Sequence, residues 1–178
     1  MTQVPPTYYA PVVVRGPWWT DEEPSLRVTR TSGGAAVAIW TAGEGPSVLL
    51  VAPDAGLHDL WSPLSPLLRD RVTVHALDRS GLSYADDVEQ VAVAATAVGA
   101  EYLAGFADDL ALLRDAGRRA GSVRAVAVLV VAGEAVADEL LDPDLMGRVE
   151  VSSRVVSDLT EADAQRLLDV LVEGGERQ

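Results

Sequence analysis

Four titratable side chains are placed at or just beyond the ends of predicted strands: Asp54, His58, Asp78 and Glu134. Ligands bind at the carboxyl ends of the strands in open α/β sheets, so we take these residues as candidates for a site. Glu134 is the first catalytic candidate, because a carboxyl group crowded by other carboxylates has a raised pKa and suits proton transfer. The alternative makes Glu134 an acid at a helix N-terminus, where it complements the helix dipole.

Asp54 and His58 form a second catalytic candidate, because they are four residues apart and could act as an acid–base pair. In the alternative, Asp54 caps the helix that follows and His58 is an exposed residue of its first turn. The sequence favours the alternative.

Asp78 and Ser83 follow a predicted strand at 72–77 and are candidates for substrate binding. His75 lies inside that strand, and we expect a core residue with its hydrogen bonds satisfied. The two histidines are separated by a helix and a strand, and no H-x-x-x-D/E cluster occurs, so we predict no metal site. We predict no cofactor either, because no phosphate-binding loop is present.

Composition excludes several partners. The net charge is −13 and all 14 basic residues are arginine, so we expect neither nucleic acid nor an anionic membrane surface to bind. No apolar run reaches the ~18 residues of a membrane span. Cysteine is absent, which excludes disulfide and thiolate chemistry. The first residues do not resemble a signal peptide, which predicts a cytoplasmic location. The lack of lysine and asparagine is typical of a GC-rich genome such as that of an actinobacterium.

The sequence divides into an arm and one domain. Residues 1–24 are rich in proline and aromatic side chains and predict an extended arm that packs on this domain or on a partner. Residues 25–174 predict a single α/β domain. It opens with a hairpin, because alternating residues from Ser25 and a second strand at 35–41 flank a glycine turn.

Strands and helices alternate after the hairpin, which predicts parallel crossovers. Apolar runs predict buried strands at 47–52 and 126–131, and further strands are predicted at 72–77 and 149–156. Helical spacing predicts helices at 57–68, 102–117, 138–141 and 160–172, and residues 84–100 predict a loop passing into a helix. A capping-box-like pair, Thr160 and Asp163, begins the last helix. The fold class is α/β, with a mostly parallel sheet, an antiparallel N-terminal hairpin and flanking helices.

Several segments, in order, resemble the α/β-hydrolase family. Residues 40–51 are similar to its second and third strands, with a G-x-G-P turn before the apolar strand, and residues 60–64 to the start of its first helix. Residues 72–83 are similar to the strand that ends in D-x-R-G-x-G-x-S, here one residue short and without one glycine. Such residues mostly stabilise the loop in that family, and the resemblance implies the same role for Asp78, Arg79 and Ser83. Residues 128–134 resemble the late strand that ends V-x-G-E/D-x-D, and the segment from 149 resembles the last strand and helix. The resemblance implies a shortened sheet that lacks the nucleophile strand, its helix and the lid.

The catalytic residues of that family are absent from the matching positions. No G-x-S-x-G occurs, and no histidine follows the acid. At the oxyanion segment the carboxylate of Asp54 would oppose developing negative charge. No serine is predicted to have a base, so we predict that the protein is not a serine hydrolase. An alternative alignment places residues 132–136 at the nucleophile turn, with Glu134 in place of serine.

Three functions remain open. The first is a non-hydrolytic α/β-hydrolase-like protein that acts as a structural or partner subunit, in a homo-oligomer or with another protein. A shortened sheet leaves an edge and an apolar face to cover. The second is an enzyme of elimination, epimerisation or cyclisation that uses the carboxylates at the strand ends. The third is a small-molecule binding module. Degenerate proteins of this family occur in actinobacterial natural-product pathways that modify peptides, and the substrate would then be a small molecule or a peptide.

Overall fold

The computed structural model describes residues 25–51, 65–77, 79, 83–133, 136, 141–152 and 159–176. The strands are β1 (Ser25–Arg30), β2 (Ala36–Ala42), β3 (Ser47–Leu50), β4 (Thr73–Leu77), β5 (Tyr102–Phe106), β6 (Ala125–Val131) and β7 (Met146–Val151). The helices are α1 (Ser65–Leu68), α2 (Tyr84–Val98), α3 (Leu110–Arg119) and α4 (Glu161–Glu176). None of the helices in these ranges is long and apolar enough to cross a lipid bilayer.

The seven strands form one sheet in the order β1-β2-β4-β3-β5-β6-β7. β1 pairs antiparallel with β2, and β2 pairs antiparallel with β4. All the other pairs are parallel. The predicted fold class is confirmed: a mostly parallel sheet carries an antiparallel hairpin at its N-terminal edge.

Helices cover both faces of this sheet, which explains why its central strands are apolar without interruption. Leu49, Leu103 and Val128 point into the core under α2 and α3. Their neighbours along the strands, such as Leu50 and Leu129, point into the core on the opposite face, where α1 and α4 pack.

Residues 102–106 correct the sequence prediction, because they form the buried strand β5 and not the start of a helix. The helical spacing of Tyr102, Phe106 and Leu110 is coincidental, since the helix begins only at Leu110. Gly105 shows the constraint on this strand: a Cβ there would lie 3.0 Å from Cδ2 of Leu113 in α3. The glycine therefore lets α3 approach the sheet closely.

Residues 84–98 are helical throughout as α2, where the sequence predicted a loop passing into a helix. Five alanines favour the helix, although they give only a weak hydrophobic period. Gly99 ends the helix in a left-handed conformation, and its N–H reaches the carbonyls of Ala95 and Thr96. The acidic residues Asp86 and Asp87 lie in the first turn, where they complement the helix dipole.

The remaining predicted elements agree with the structure or lie outside the described residues. The strand predicted at 149–156 is β7 and begins earlier, at Met146. The capping box before α4 is confirmed: the N–H of Thr160 donates to Asp163 at 2.8 Å, and the N–H of Asp163 donates to Thr160 at 3.3 Å. The arm at 1–24 and most of the helices predicted at 57–68 and 138–141 lie outside the described ranges.

Candidate functional site

Four of the candidate residues from the sequence, Asp54, His58, Asp78 and Glu134, lie outside the described residues. The strands that precede them, β3, β4 and β6, run parallel in one sheet, so their carboxyl ends share one edge. The convergence of these side chains at that edge stays a prediction. Among the residues that the structure does describe, no group of three carboxylate or imidazole side chains is arranged to hold a metal ion.

Ser83 lies at the start of α2 and caps it. Its hydroxyl oxygen accepts a hydrogen bond from the N–H of Asp86 at 3.2 Å, and its O–H donates to the carboxylate of Asp86 at 2.6 Å. Its hydroxyl is therefore engaged in capping the helix, and contact with a substrate remains a prediction.

Arg79 forms the centre of a charged cluster at the carboxyl edge of the sheet. It follows β4 and is nearly buried, with its side chain 5% exposed. Two of its nitrogens donate to the two carboxylate oxygens of Asp109, at 3.3 Å and 3.2 Å. The carboxylate of Asp87, in α2, lies 3.7 Å from the same guanidinium. We call these three side chains the Arg79 cluster.

Asp109 has a perturbed pKa within this cluster. Burial raises the pKa of its carboxyl group to about 6, and the negative charges of Asp108 and Asp87 act in the same direction. The positive charge and hydrogen bonds of Arg79 oppose the increase. Desolvation penalises the ionised form more than the ion pair favours it. A carboxyl group with such a pKa can exchange a proton near neutral pH.

Asp109 was missed by the sequence analysis because the strand before it was not recognised. It lies at the end of a short 3-10 helix, Ala107–Asp109, that joins β5 directly to α3. The available signal was an apolar run with a small residue, Gly105, followed by two aspartates. That pattern is typical of a buried strand that ends at the carboxyl edge.

A second polar cluster joins His75 to two hydroxyl groups. Nδ1 of His75 lies 2.8 Å from Oγ1 of Thr41, and Nε2 lies 2.6 Å from Oγ of Ser47. His75 is 4% exposed, so the prediction of a satisfied core histidine is confirmed. The premise that no serine has a base is wrong, because Ser47 lies within hydrogen-bonding distance of an imidazole.

This Ser47–His75–Thr41 cluster nevertheless makes a poor catalytic centre. Burial, aided by the positive charge of Arg27, lowers the pKa of His75 to about 4, so the imidazole is a weak base. The hydroxyl of Ser47 also lies 3.4 Å from the carbonyl oxygen of Val98, which gives it a second acceptor. Ser47 begins β3, so the cluster lies at the amino edge of the parallel strands, away from the Arg79 cluster. The geometry is that of a buried polar network.

No protein-family model matches the chain, and no curated protein sequence matches it. Solved structures do. An α/β hydrolase from Sphaerobacter thermophilus superimposes with a TM-score of 0.52 at 23% identity, over 58% of this chain and 44% of that one. An epoxide hydrolase from an endophytic Streptomyces superimposes with a TM-score of 0.50 at 21% identity, over 62% of this chain and 38% of that one. A haloalkane dehalogenase from Bradyrhizobium elkani superimposes with a TM-score of 0.50 at 20% identity, over 60% of this chain and 42% of that one.

The fold is that of the α/β-hydrolases. At these identities the likeness concerns the fold alone, and the chain spans about two fifths of the length of the structures that it matches. The predicted resemblance to a shortened α/β-hydrolase sheet is confirmed.

The α/β-hydrolase fold carries its nucleophile on a sharp, strained turn from a strand to a helix, in the pattern G-x-S-x-G. Here β5 is the described strand that runs directly into a helix, and residues 105–109 read Gly-Phe-Ala-Asp-Asp. Ala107 stands at the middle position and carries no nucleophilic group. Among the described residues no non-glycine has a positive φ, so this turn lacks the strain typical of the family.

The position of β5 also corrects the alignment inferred from sequence. β5 lies next to β3 in the middle of the sheet, and with α3 it supplies the strand and helix that the sequence resemblance implied were missing. The alternative alignment, with Glu134 at the nucleophile turn, is not favoured, because β6 lies one strand further from β3 than β5 does.

Proposed function

We propose that this protein is a non-hydrolytic member of the α/β-hydrolase fold that acts as a structural or partner subunit, in a homo-oligomer or with another protein. The observation that carries the proposal is Ala107, at the middle of the turn between β5 and α3. Alanine can neither attack a substrate nor accept a proton, so the position that carries the nucleophile in this fold has no reactive group here.

The Arg79 cluster supports the same proposal. Beside Ala107, the carboxylate of Asp109 accepts two hydrogen bonds from Arg79, which is nearly buried. Charged groups that are engaged with each other inside a protein hold its segments in place. The cluster ties the start of α3 to the end of β4, a role that stabilises the scaffold without requiring chemistry.

The composition of the chain points to a setting for this role. Arginine-only basic residues and the lack of asparagine suit an actinobacterial genome, and a natural-product pathway that modifies a peptide is the setting that we propose. The net charge of −13 favours a partner with a basic surface over nucleic acid.

Two measurements test the proposal. Incubation with a fluorophosphonate probe should label no serine, and short p-nitrophenyl esters should not be hydrolysed. Ser47→Ala serves as the control, because Ser47 has an imidazole within reach. Labelling that this variant abolishes would overturn the non-hydrolytic assignment.

Light scattering should give a mass above that of one 18.8 kDa chain, alone or after addition of the proteins encoded beside it. A monomer under both conditions would contradict the subunit role.

A second candidate function is proton transfer in an elimination, epimerisation or cyclisation. The pKa of Asp109, raised to about 6 by burial, is the observation that favours it. In this case Asp109 would act at the carboxyl edge, where the sequence also places Glu134 and Asp54. Asp109→Asn retains the shape of the side chain and one acceptor oxygen for Arg79. Loss of the pathway product in this variant, with the fold intact by circular dichroism, would favour the enzyme over the subunit.

A further inference from the structure

β1 is an edge strand with apolar side chains open to solvent. It pairs with β2 on one side, and no described strand lies on its other side. Leu26 and Val28 are 42% and 55% exposed. The strand at the opposite edge, β7, instead exposes Arg148 and Glu150, and charged side chains prevent edge pairing. On β1 the face that carries Leu26 and Val28 has one charged side chain, Arg30 at its end, and the two apolar side chains before it are exposed.

The other face of β1 borders a groove. Thr29 follows Val28 in the strand, so its side chain points to the opposite face. The groove has a volume of about 320 Å³. Its wall is made by Thr29, by Arg119 at the end of α3, and by four residues of α2: Ala92, Val93, Thr96 and Ala97. Apolar surface is therefore available on both faces of the same strand edge.

We propose that part of segment 8–19 of the same chain, ending at Trp18 and Trp19, adds to the six-residue strand β1 as a further strand, with Trp18 and Trp19 on opposite faces of the sheet. Adjacent residues of an extended strand point to opposite faces. One indole would then cover Leu26 and Val28, and the other would lie on the face of β1 that borders the groove. A tryptophan doublet matches an edge that has apolar surface on both faces.

The length and charge of the connection favour the chain's own arm. Five residues, 20–24, separate Trp19 from Ser25, a length found in β-hairpin loops. Three of them, Asp21, Glu22 and Glu23, are acidic, and β1 itself carries Arg27 and Arg30. The prolines of the arm are tolerated, because proline occurs in strands at the sheet edge.

A second copy of β1 is a poorer occupant of this edge. Two β1 strands side by side would bring four arginines together, Arg27 and Arg30 from each copy. Like charges on paired strands destabilise the pairing. The arm is already attached and pays no cost of association.

A double-mutant cycle on the full-length chain tests the proposal. Val28→Lys should lower the folding equilibrium constant on the order of tenfold in the natural chain, and less than about twofold when Trp18 and Trp19 are both serine. Leu67→Lys is the matched control: Leu67 is an exposed leucine of α1, 38% exposed, and its replacement should have equal effects in both backgrounds. Equal effects of Val28→Lys in both backgrounds would overturn the proposal.

Single tryptophan variants test the opposite-face geometry. Trp18→Ser should remove the coupling to only one of the two strand positions, Val28→Lys or Thr29→Lys, and Trp19→Ser should remove the coupling to the other. Loss of both couplings in one variant, with none in the other, would contradict the placement of the two indoles.

Two further measurements keep the proposal falsifiable if Val28→Lys unfolds the chain. Hydrogen exchange in a peptide covering β1 should be slower in the natural chain than in the Trp18→Ser, Trp19→Ser double variant, and equal rates would contradict strand addition. The protection and the coupling should also be independent of protein concentration. Protection that grows with concentration would place the arm of a second copy on β1 and overturn the intramolecular contact.

Discussion

Arg79 and Asp109 are joined by two hydrogen bonds, at 3.3 Å and 3.2 Å, between the segment after β4 and the start of α3. Their side chains are 5% and 15% exposed, so this ion pair is largely removed from solvent. β3 lies between the two strands that these segments follow. The pair thus connects the carboxyl ends of strands that are not neighbours, and each partner depends on the other to balance a buried charge.

Removal of Arg79 should destabilise the protein strongly. Arg79→Met leaves Asp109 and Asp87 without the cation between them, and breaking a buried ion pair costs about 3 kcal/mol or more. Urea unfolding of the variant and the natural chain measures the difference. The control is Arg118→Met: Arg118 is 60% exposed and pairs with Asp142 at 2.8 Å, and an exposed pair contributes less than about 1 kcal/mol. Similar small losses in both variants would contradict a structural role for the Arg79 cluster.

The stability of the protein between pH 6.5 and pH 4 should reflect two opposing groups. The pKa of Asp109 is raised from 3.8 to about 6 in the folded protein. Its contribution to the stability of the fold is therefore fully present below pH 3.8 and is lost as the pH rises through 6. The pKa of His75 is lowered from 6.5 to about 4, so its contribution is present above pH 6.5 and is lost as the pH falls through 4. Each effect on the free energy of unfolding is at most about 3 to 3.5 kcal/mol, and the two partly cancel.

Single variants should separate these two contributions. With Asp109→Asn, stability should fall more steeply than in the natural chain as the pH drops from 6.5 to 4, because only His75 then acts in that window. With His75→Gln, which retains two polar atoms for Thr41 and Ser47, acidification over the same window should cost less than in the natural chain. Urea midpoints at pH 7, 5.5 and 4.5 measure both slopes. The same change of urea midpoint with pH in all three proteins would contradict opposing contributions from Asp109 and His75.

Asp163→Ala should lower the free energy of unfolding by about 2 to 4 kcal/mol. Asp163 is 1% exposed, and its carboxylate accepts hydrogen bonds from the N–H and O–H of both Ser152 and Thr160. Although burial alone raises the pKa of this group, those hydrogen bonds lower it overall. Asp169→Ala is the control, since Asp169 lies on the exposed face of α4 and accepts one hydrogen bond, from Gln165. Thermal unfolding compares the two, and an equal effect would show that the buried network is not needed.

Glu134→Gln should leave the product of the proposed pathway unchanged and lower the free energy of unfolding by about half a kcal/mol, the contribution expected if Glu134 is an acid at a helix N-terminus. The variant keeps the shape of the side chain and removes its ability to carry a proton. Product formation in the host and urea unfolding are the two readouts. A fall in product of about a hundredfold with normal stability would instead favour acid–base catalysis at the carboxyl edge.

The sequence alone determined the elements whose patterns are local. Alternation from Ser25 and the glycine turn after it specify the hairpin, because the period of two and the turn chemistry lie within a few residues. The apolar runs that became β3 and β6 are long enough to be read as strands buried on both faces. The start of α4 was readable for the same reason, since Thr160 and Asp163 form a capping box within one turn.

The tertiary structure decided what depends on contacts between distant residues. β5 is a strand because β3 and β6 pair with it on both sides, and this overrides a helical spacing that Tyr102 shares with Phe106 by chance. The Arg79–Asp109 pair spans 30 positions, and the Ser47–His75 pair spans 28. No local pattern encodes either contact, since each arises only when parallel strands align their ends in one sheet. The sequence could therefore predict carboxylates at strand ends, and the folded chain shows which of the described charges meet.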